Sequence, residues 1–404
     1  MTMHLHHLTG CAPTPLAHYL KALGVLRIIA EQVDPEARGW WQDEHFCLLT
    51  RLNRHELEQF FLEKYAPTPI FNPWGGRSGY YPGSAERTSR MALEKIETSE
   101  SQRLIAFRKA IRTIRHAIES FGGKKPDKSD QHLLIGRLRQ DIRGSAGKWL
   151  DTVLALVGDD FRAPALMGTG GNEGSGSYTS AYLNAIVECI LERKWDHALC
   201  LYAGRETFPG EAAHNHTWDG SFGQFIPSGH GSAWDYVLAF EGAVIVRSGI
   251  TSRGNSVSHR FLASPFYFAS HAIGSGANAV MDEYVLQQGR KGPGRGEQWF
   301  PIWQRPTRLD ELESLVSEGR CSIGRQRARQ PIDAARAISQ LGVSRGITEF
   351  IRYGYLQRNN AATHFAVPLS RIVVRHRQQA RLIDDIAVWL NKLPVGVSSM
   401  AARW

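Results

Sequence analysis

Gly342-Val-Ser-Arg-Gly-Ile-Thr-Glu-Phe-Ile-Arg-Tyr-Gly-Tyr-Leu-Gln-Arg-Asn-Asn360 is the stretch on which the reading of this chain turns. Its spacing predicts one short helix, entered through a Gly-rich turn and closed by an Asn pair. Ile347, Phe350, Ile351 and Gly354 recur at steps of three and four and would pack inward. Arg345 and Arg352, seven apart, fall on the other side beside Tyr353 and Leu356. A row of guanidinium groups on a packed helix suits a phosphate backbone better than a small-molecule pocket. A merely solvated Arg face would look the same, so the decision rests on the surrounding charge.

That charge is local. The 404 residues carry a formal net charge of +9. From Leu286 to Arg381 there are 17 Lys/Arg against 7 Asp/Glu, and the remainder of the chain is close to neutral. All but one of those 17 bases are Arg. A concentrated, Arg-dominated excess is the footprint expected for nucleic acid, with an acidic protein partner as the competing reading.

With 42% hydrophobic and 22% charged residues, the chain can bury a sizeable core and is expected to hold two or three domains. No run of about 18 apolar residues suggests a membrane span, and no secretory signal is read at the start. His4, His6 and His7 are too few, and too interleaved with Leu, to read as a metal tract. Five Cys without a C-x-x-C pair fit a reduced, cytoplasmic setting.

Along the chain the expected class is α+β: several helices, small sheets and long Gly-rich loops. Thr14 is expected to cap a helix starting at Pro15, with an apolar face from Leu16 to about Ala30. Phe46 to Thr50 reads as a short strand. Asn53 and Glu56 form a capping-box start for a helix to about Tyr65. The loop from Pro67 to Pro82 sets Trp74, Tyr80 and Tyr81 among Gly and Arg77, as a base-stacking loop or one pinned by buried aromatics. Arg103 to Ile118 is an amphipathic helix, and Gly122 to Asp130 reads as a linker or exposed loop, a candidate boundary. A Gly-rich loop, Gly168 to Ser177, carries Asn172 before a helix from about Thr179 to Arg193. Tyr236 to Val246 is an apolar run of either type. Arg253 and the group Arg290, Lys291 and Arg295 lie in further loops, and Arg325, Arg327 and Arg329 crowd a turn before a helix from Ile332 to Gln340. Ala366 to Arg375 reads as an edge strand and Arg381 to Leu393 as a closing helix. The expected segments are residues 1–121, 131–288 and 289–404, the last being the basic one.

Motifs for catalysis are sparse. Gly342-Val-Ser344-Arg-Gly346 has the letters of a nucleophile elbow, but a helix is expected before it, where the elbow needs a strand. His214, His216 and Asp219 offer metal-ligand atoms without a further ligand at recognisable spacing. A Ser- or metal-dependent hydrolase acting on nucleic acid is therefore the alternative. The leading reading is non-catalytic and calls for no cofactor and no metal.

Several short blocks, in order, resemble a known family. They are Leu8-Thr-Gly-Cys-Ala-Pro-Thr-Pro-Leu-Ala-His-Tyr-Leu-Lys-Ala-Leu-Gly-Val25, Pro67-Thr-Pro-Ile with Asn72-Pro-Trp, Gly168-Thr-Gly-Gly-Asn, Arg345-Gly-Ile, Arg352-Tyr-Gly and Arg358-Asn. Together they resemble the large subunit of the type I-G (formerly I-U) CRISPR effector complex. The resemblance implies a non-catalytic subunit of a crRNA-guided surveillance complex. Its partners would be crRNA, target double-stranded DNA, the backbone and other subunits, and a helicase-nuclease recruited in trans. It would contact the crRNA 5′ handle region and read a short motif flanking the target. Family members usually continue into a long helical C-terminal region resembling a small subunit, and this chain stops at Trp404, so a role in holding the displaced strand is not expected of it unless a separate chain supplies that region. The residues expected to meet nucleic acid are Trp74, Arg77, Asn172, Arg253, Arg290, Lys291, Arg295, Arg325, Arg327, Arg329, Arg345, Arg352 and Arg358; these rest on charge and loop chemistry.

Overall fold

A computed structural model describes residues 2–75, 77–83, 86–127, 130–157, 160–162, 166, 177–203, 232–247, 249–252, 260–263, 265–268, 296–319, 321–323, 326–328, 331–357 and 364–375. The fold is α+β, with two four-stranded antiparallel sheets, three two-stranded ribbons and helices between them.

Strand β1 (His4–Leu8) leads into helix α1 (Leu16–Gln32), followed by β2 (Arg38–Gln42) and β3 (His45–Thr50). The N-cap of α1 is Pro15 rather than Thr14, and no side chain caps it. Leu16 through Ala30 are all buried, so α1 is enclosed on every side, not amphipathic as its apolar stripe suggested. The β2–β3 hairpin turns through Asp43 (φ 44°) and Glu44 (φ 65°), the double left-handed geometry of a two-residue turn. Neither residue is Gly or Asn, and each costs on the order of 1 kcal/mol there.

Asn53 and Glu56 make the expected capping box for α2 (Arg54–Gln59), at 3.0 and 2.8 Å. A π-helical turn, Phe60–Lys64, extends it. Its last carbonyls are satisfied by Arg103, which donates to Phe61, Leu62 and Tyr65 at 2.8, 2.7 and 2.8 Å. Then come α3 (Arg87–Thr98), α4 (Ile105–Ser120), α5 (Gln131–Asp141) and α6 (Ser145–Val153), with the expected linker as the loop between α4 and α5. A ribbon β4 (Ala155–Val157)/β5 (Asp160–Arg162) precedes α7 (Ser177–Ile186), which runs into a second π-helical turn, Val187–Leu191.

The undecided apolar run is helical. Ser232 and Asp235 form a capping box for α8 (Ala233–Ala243), and all eleven helical residues are buried. Helices α1 and α8 pack at backbone contact: a Cβ on Gly24 would lie 2.0 Å from the Leu238 carbonyl oxygen, and one on Gly242 would lie 1.8 Å from that of Leu20. The crossing carries two enclosed ion pairs, Lys21–Asp235 at 2.5 Å and Arg27–Glu241 at 2.6 Å. Glu241 also accepts from the Tyr65 hydroxyl at 2.5 Å and from Thr68 N and Oγ1 at 2.7 and 2.6 Å. Burial raises the Asp235 carboxyl, but the Lys21 ammonium, reinforced by Ser232 N–H, outweighs it and holds the pKa below its ordinary value. Burial likewise opposes the Lys21 charge, and Asp235 overcomes it, leaving the ammonium pKa raised.

The chain continues through the ribbon β6 (Gly249–Ser252)/β7 (Arg260–Ala263), then β8 (Tyr267–Phe268), β9 (Glu297–Trp303), β10 (Thr307–Arg308) and α9 (Leu309–Glu318). A ribbon β11 (Ser322–Ile323)/β12 (Gln326–Arg327), α10 (Pro331–Ser339), β13 (Ile347–Gln357) and β14 (His364–Val373) complete it. The first sheet runs β1-β3-β2-β10 and the second β14-β13-β9-β8. The main core draws residues from Leu8 to Ala366, hence from all three expected segments, while a smaller core around Phe266, Trp299 and Phe350 belongs mostly to the last. The segments are joined through shared burial.

Residues 347–357 are a strand, not the expected helix. Ile347, Thr348, Phe350, Ile351, Tyr353 and Tyr355 are β-branched or aromatic, and both edges of the strand are paired, to β9 and β14. Register shifts at Ile347/Glu349 and Arg352/Tyr353 disturb the alternation of its side chains, which let the sequence imitate a helical period.

Candidate nucleic-acid interface

Two of the predicted bases, Arg352 on strand β13 and Arg345 just before it, are held differently. Arg352 donates from Nε and Nη2 to the two carboxylate oxygens of Glu297 at 3.0 and 2.9 Å, from Nη1 to Ser370 Oγ at 3.2 Å, and lies 5.2 Å over the Trp299 ring. Its fork is filled from within the sheet. Arg345, just before the strand, is exposed and has no ion pair among the described residues.

Arg345 stands on the lip of a groove of about 1060 Å³ between α9 and the Gly342–Gly346 loop. Arg305 lines it too and is likewise exposed without an ion pair among the described residues. Gly346, at φ 98° with open space where a Cβ would sit, leaves its backbone uncovered. The groove is not uniformly basic. Glu318 lines it, and Glu311 turns its carboxylate to the N-terminus of α9, accepting from Arg308 N at 2.9 Å. Ser344 Oγ is buried and has no hydrogen-bond partner among the described residues. Ser344 follows α10 and precedes β13, a helix-to-strand order opposite to a nucleophile elbow.

The Pro67–Pro82 loop is pinned from inside. Phe71 accepts from Trp149 Nε1 at 2.8 Å, Asn72 wraps its side chain against Gly75, and Trp74 packs half-buried on the main core. Tyr81 is buried, Tyr80 half-buried, and burial pushes both phenols up. Of the two readings of the loop, these aromatics follow the packed one. Arg77 is exposed at φ 58°, its carbonyl held by Ser89 Oγ at 2.6 Å.

Of the other predicted residues, Arg327 lies on β12, paired with Ser322. Asn172, Arg253, Arg290, Lys291, Arg295, Arg325, Arg329 and Arg358 lie outside the described residues, as do His214, His216, Asp219 and the expected closing helix. The basic quarter also spends charge internally: Arg308 pairs with Asp310 at 2.9 Å, Arg336 with Asp333 at 3.9 Å, and Arg371 with Glu44 and Glu349. Hydrogen bonds from Arg371 hold the Glu44 carboxyl below its ordinary range. A count of charges could not have separated Arg345 from Arg352.

Among the described residues, the N-terminal blocks expected to carry the family resemblance are largely interior. Thr68 and Asn72 are buried, and so is α1 from Leu16 to Ala30. An early block and a late one touch: Tyr353 Oη donates to the Pro13 carbonyl at 3.1 Å. No helix among the described residues is long and apolar enough to cross a membrane. No family model matches the sequence, and no curated protein matches it.

Proposed function

We propose that this chain is a non-catalytic, nucleic-acid-binding large subunit of a crRNA-guided CRISPR effector complex resembling type I-G. In this role it binds crRNA and target duplex DNA, reads the bases flanking the target, sits against the backbone subunits and helps recruit a helicase-nuclease. Its place is the cytoplasm. The supporting observation is the exposed Arg345 beside an uncovered Gly346 on a groove lip, within the quarter that carries the positive excess. Guide pairing would read the target, leaving Arg345, Arg305 and Arg77 to grip phosphates or a guanine edge. Arg352, already committed to Glu297, has a supporting role beneath them.

Co-expression with crRNA and the partner subunits tests the reading. The chain is expected to co-purify with the RNA-containing assembly. Gel shifts over duplexes varied only in their flanking bases are expected to show a preference that weakens with Arg345→Ala. Failure to enter any RNA-containing assembly would falsify the proposal.

A further inference from the structure

Three donor side chains converge on the outward face of the first sheet. His7 on β1 sits directly across from Cys47 on β3, and His45 precedes Cys47 by two residues on the same face. His7 Nδ1 lies 2.9 Å from His45 Nε2 and 3.5 Å from Cys47 Sγ, and all three donor atoms lie within 4.8 Å of one another. Zinc, with Zn–N about 2.0–2.1 Å and Zn–S about 2.3 Å at tetrahedral angles, sets nitrogen and sulfur ligands about 3.5 Å apart and two nitrogen ligands about 3.4 Å apart. The Sγ–Nδ1 separation already has that value. The exposed His7 ring would open by about half an ångström from His45, and Cys47 Sγ and His45 Nε2, within 4.8 Å of each other, would settle at about 3.5 Å.

Hydrogen bonding fixes which lone pairs face the centre. His45 Nδ1 lies 2.9 Å from the Asp43 carbonyl, which only accepts, so Nδ1 carries the hydrogen and a neutral His45 directs the lone pair of Nε2 at His7. This is the carbonyl-oriented imidazole common among metal ligands. The only hydrogen left for the His45–His7 contact is the one on His7 Nδ1. Cys47 keeps its own thiol hydrogen, directed at Gln42 Oε1 3.9 Å away. A zinc ion would displace that proton to solvent and leave the His7 hydrogen on Nε2, freeing Sγ and both facing nitrogens to ligate. The hairpin is built to present the set: its left-handed turn at Asp43 and Glu44 puts the Asp43 carbonyl under His45, and Arg371 on β14 grips Glu44 with both Nη atoms.

We infer that His7, His45 and Cys47 form a zinc site with an open fourth position, cross-linking the edge strand β1 to the β2–β3 hairpin. Two imidazole nitrogens and one thiolate sulfur suit zinc, and the exposure of His7 gives the ion an entry path and a water for its fourth ligand. The site is independent of the groove and of the nucleic-acid reading.

The test uses the full chain with any affinity tag removed. Titration with zinc is expected to saturate at one ion per chain and to raise the thermal midpoint. Cobalt(II) in its place is expected to give the visible bands of a four-coordinate ion and a thiolate-to-cobalt band in the near ultraviolet. Cys47→Ser should abolish that near-ultraviolet band. His7→Asn, at an exposed position that leaves the fold intact, should weaken zinc binding by more than about tenfold. Absence of stoichiometric zinc, a cobalt spectrum without the thiolate band, or equal affinity in His7→Asn would overturn the assignment.

Discussion

Arg352 clamps Glu297 with two parallel hydrogen bonds of 3.0 and 2.9 Å, tying the centre of β13 to the start of β9. A guanidinium expected to meet nucleic acid is a strut within the sheet. Arg352→Ala is expected to cost about 1–3 kcal/mol, because it strands a mostly buried carboxylate. Arg352→Lys should recover little, since an ammonium cannot reproduce the fork. Urea unfolding of both variants gives the values, and an unchanged midpoint for Arg352→Ala would remove the strut.

Arg345 should behave in the opposite way. Arg345→Ala is expected to leave stability within about 0.5 kcal/mol of the parent, as for surface positions generally. In the assembled complex it should weaken DNA binding and lower the salt slope by about 1, as for one lost phosphate contact. An identical slope in parent and variant would exclude Arg345 from the interface.

The Lys21–Asp235 pair predicts both a mutational and a pH signature. Lys21→Met should cost about 3–5 kcal/mol by leaving the buried Asp235 carboxylate without its cation, and adding Asp235→Leu should recover part of it, the lost capping box of α8 being the remainder. The folded Asp235 carboxyl has a lowered pKa, so its stabilisation is complete above the unfolded value near 4 and drains as pH falls through the lower folded value. The folded Lys21 ammonium has a raised pKa, so its share is complete below the unfolded value of about 10.4 and is lost as pH rises through the folded one. Thermal midpoints across pH should therefore fall at both ends, and less so in the double variant.

Two glycines give a contrast independent of charge. Gly242→Ala puts a methyl 1.8 Å from the Leu20 carbonyl oxygen and should cost at least about 1–3 kcal/mol by forcing α1 and α8 apart. Gly136→Ala, inside α5 with nothing within 4 Å, should gain about 0.5–1 kcal/mol. Equal effects at the two positions would contradict the close crossing.

Local signals in the sequence were good guides where the structure is local. The Asn53–Glu56 box and the stripe of α4 both rest on neighbours within one or two turns. Residues 347–357 misled because two register shifts let a strand imitate a helical period, although its β-branched and aromatic content pointed the other way. Arg27 and Glu241 were invisible as interior residues because only their pairing makes burial tolerable, and their sequence separation is 214. His7, His45 and Cys47 escaped for the same reason: only the antiparallel register of β1 on β3 sets His7 opposite Cys47. At the groove, the basic excess was legible, but which Arg is already partnered was not.

The α1–α8 crossing also imposes an order of events during synthesis. Helix α1 is made well before α8, with every face destined for burial and carrying Lys21, whose carboxylate partner lies 214 residues further on. Until Asp235 has been made, the helix has no place to bury that ammonium, and it must wait as a sticky nascent segment. The N-terminal half therefore cannot mature ahead of the middle of the chain. Ribosome-bound intermediates from which α8 has not yet emerged are natural clients for a holding chaperone, and compaction should begin abruptly once α8 clears the exit tunnel.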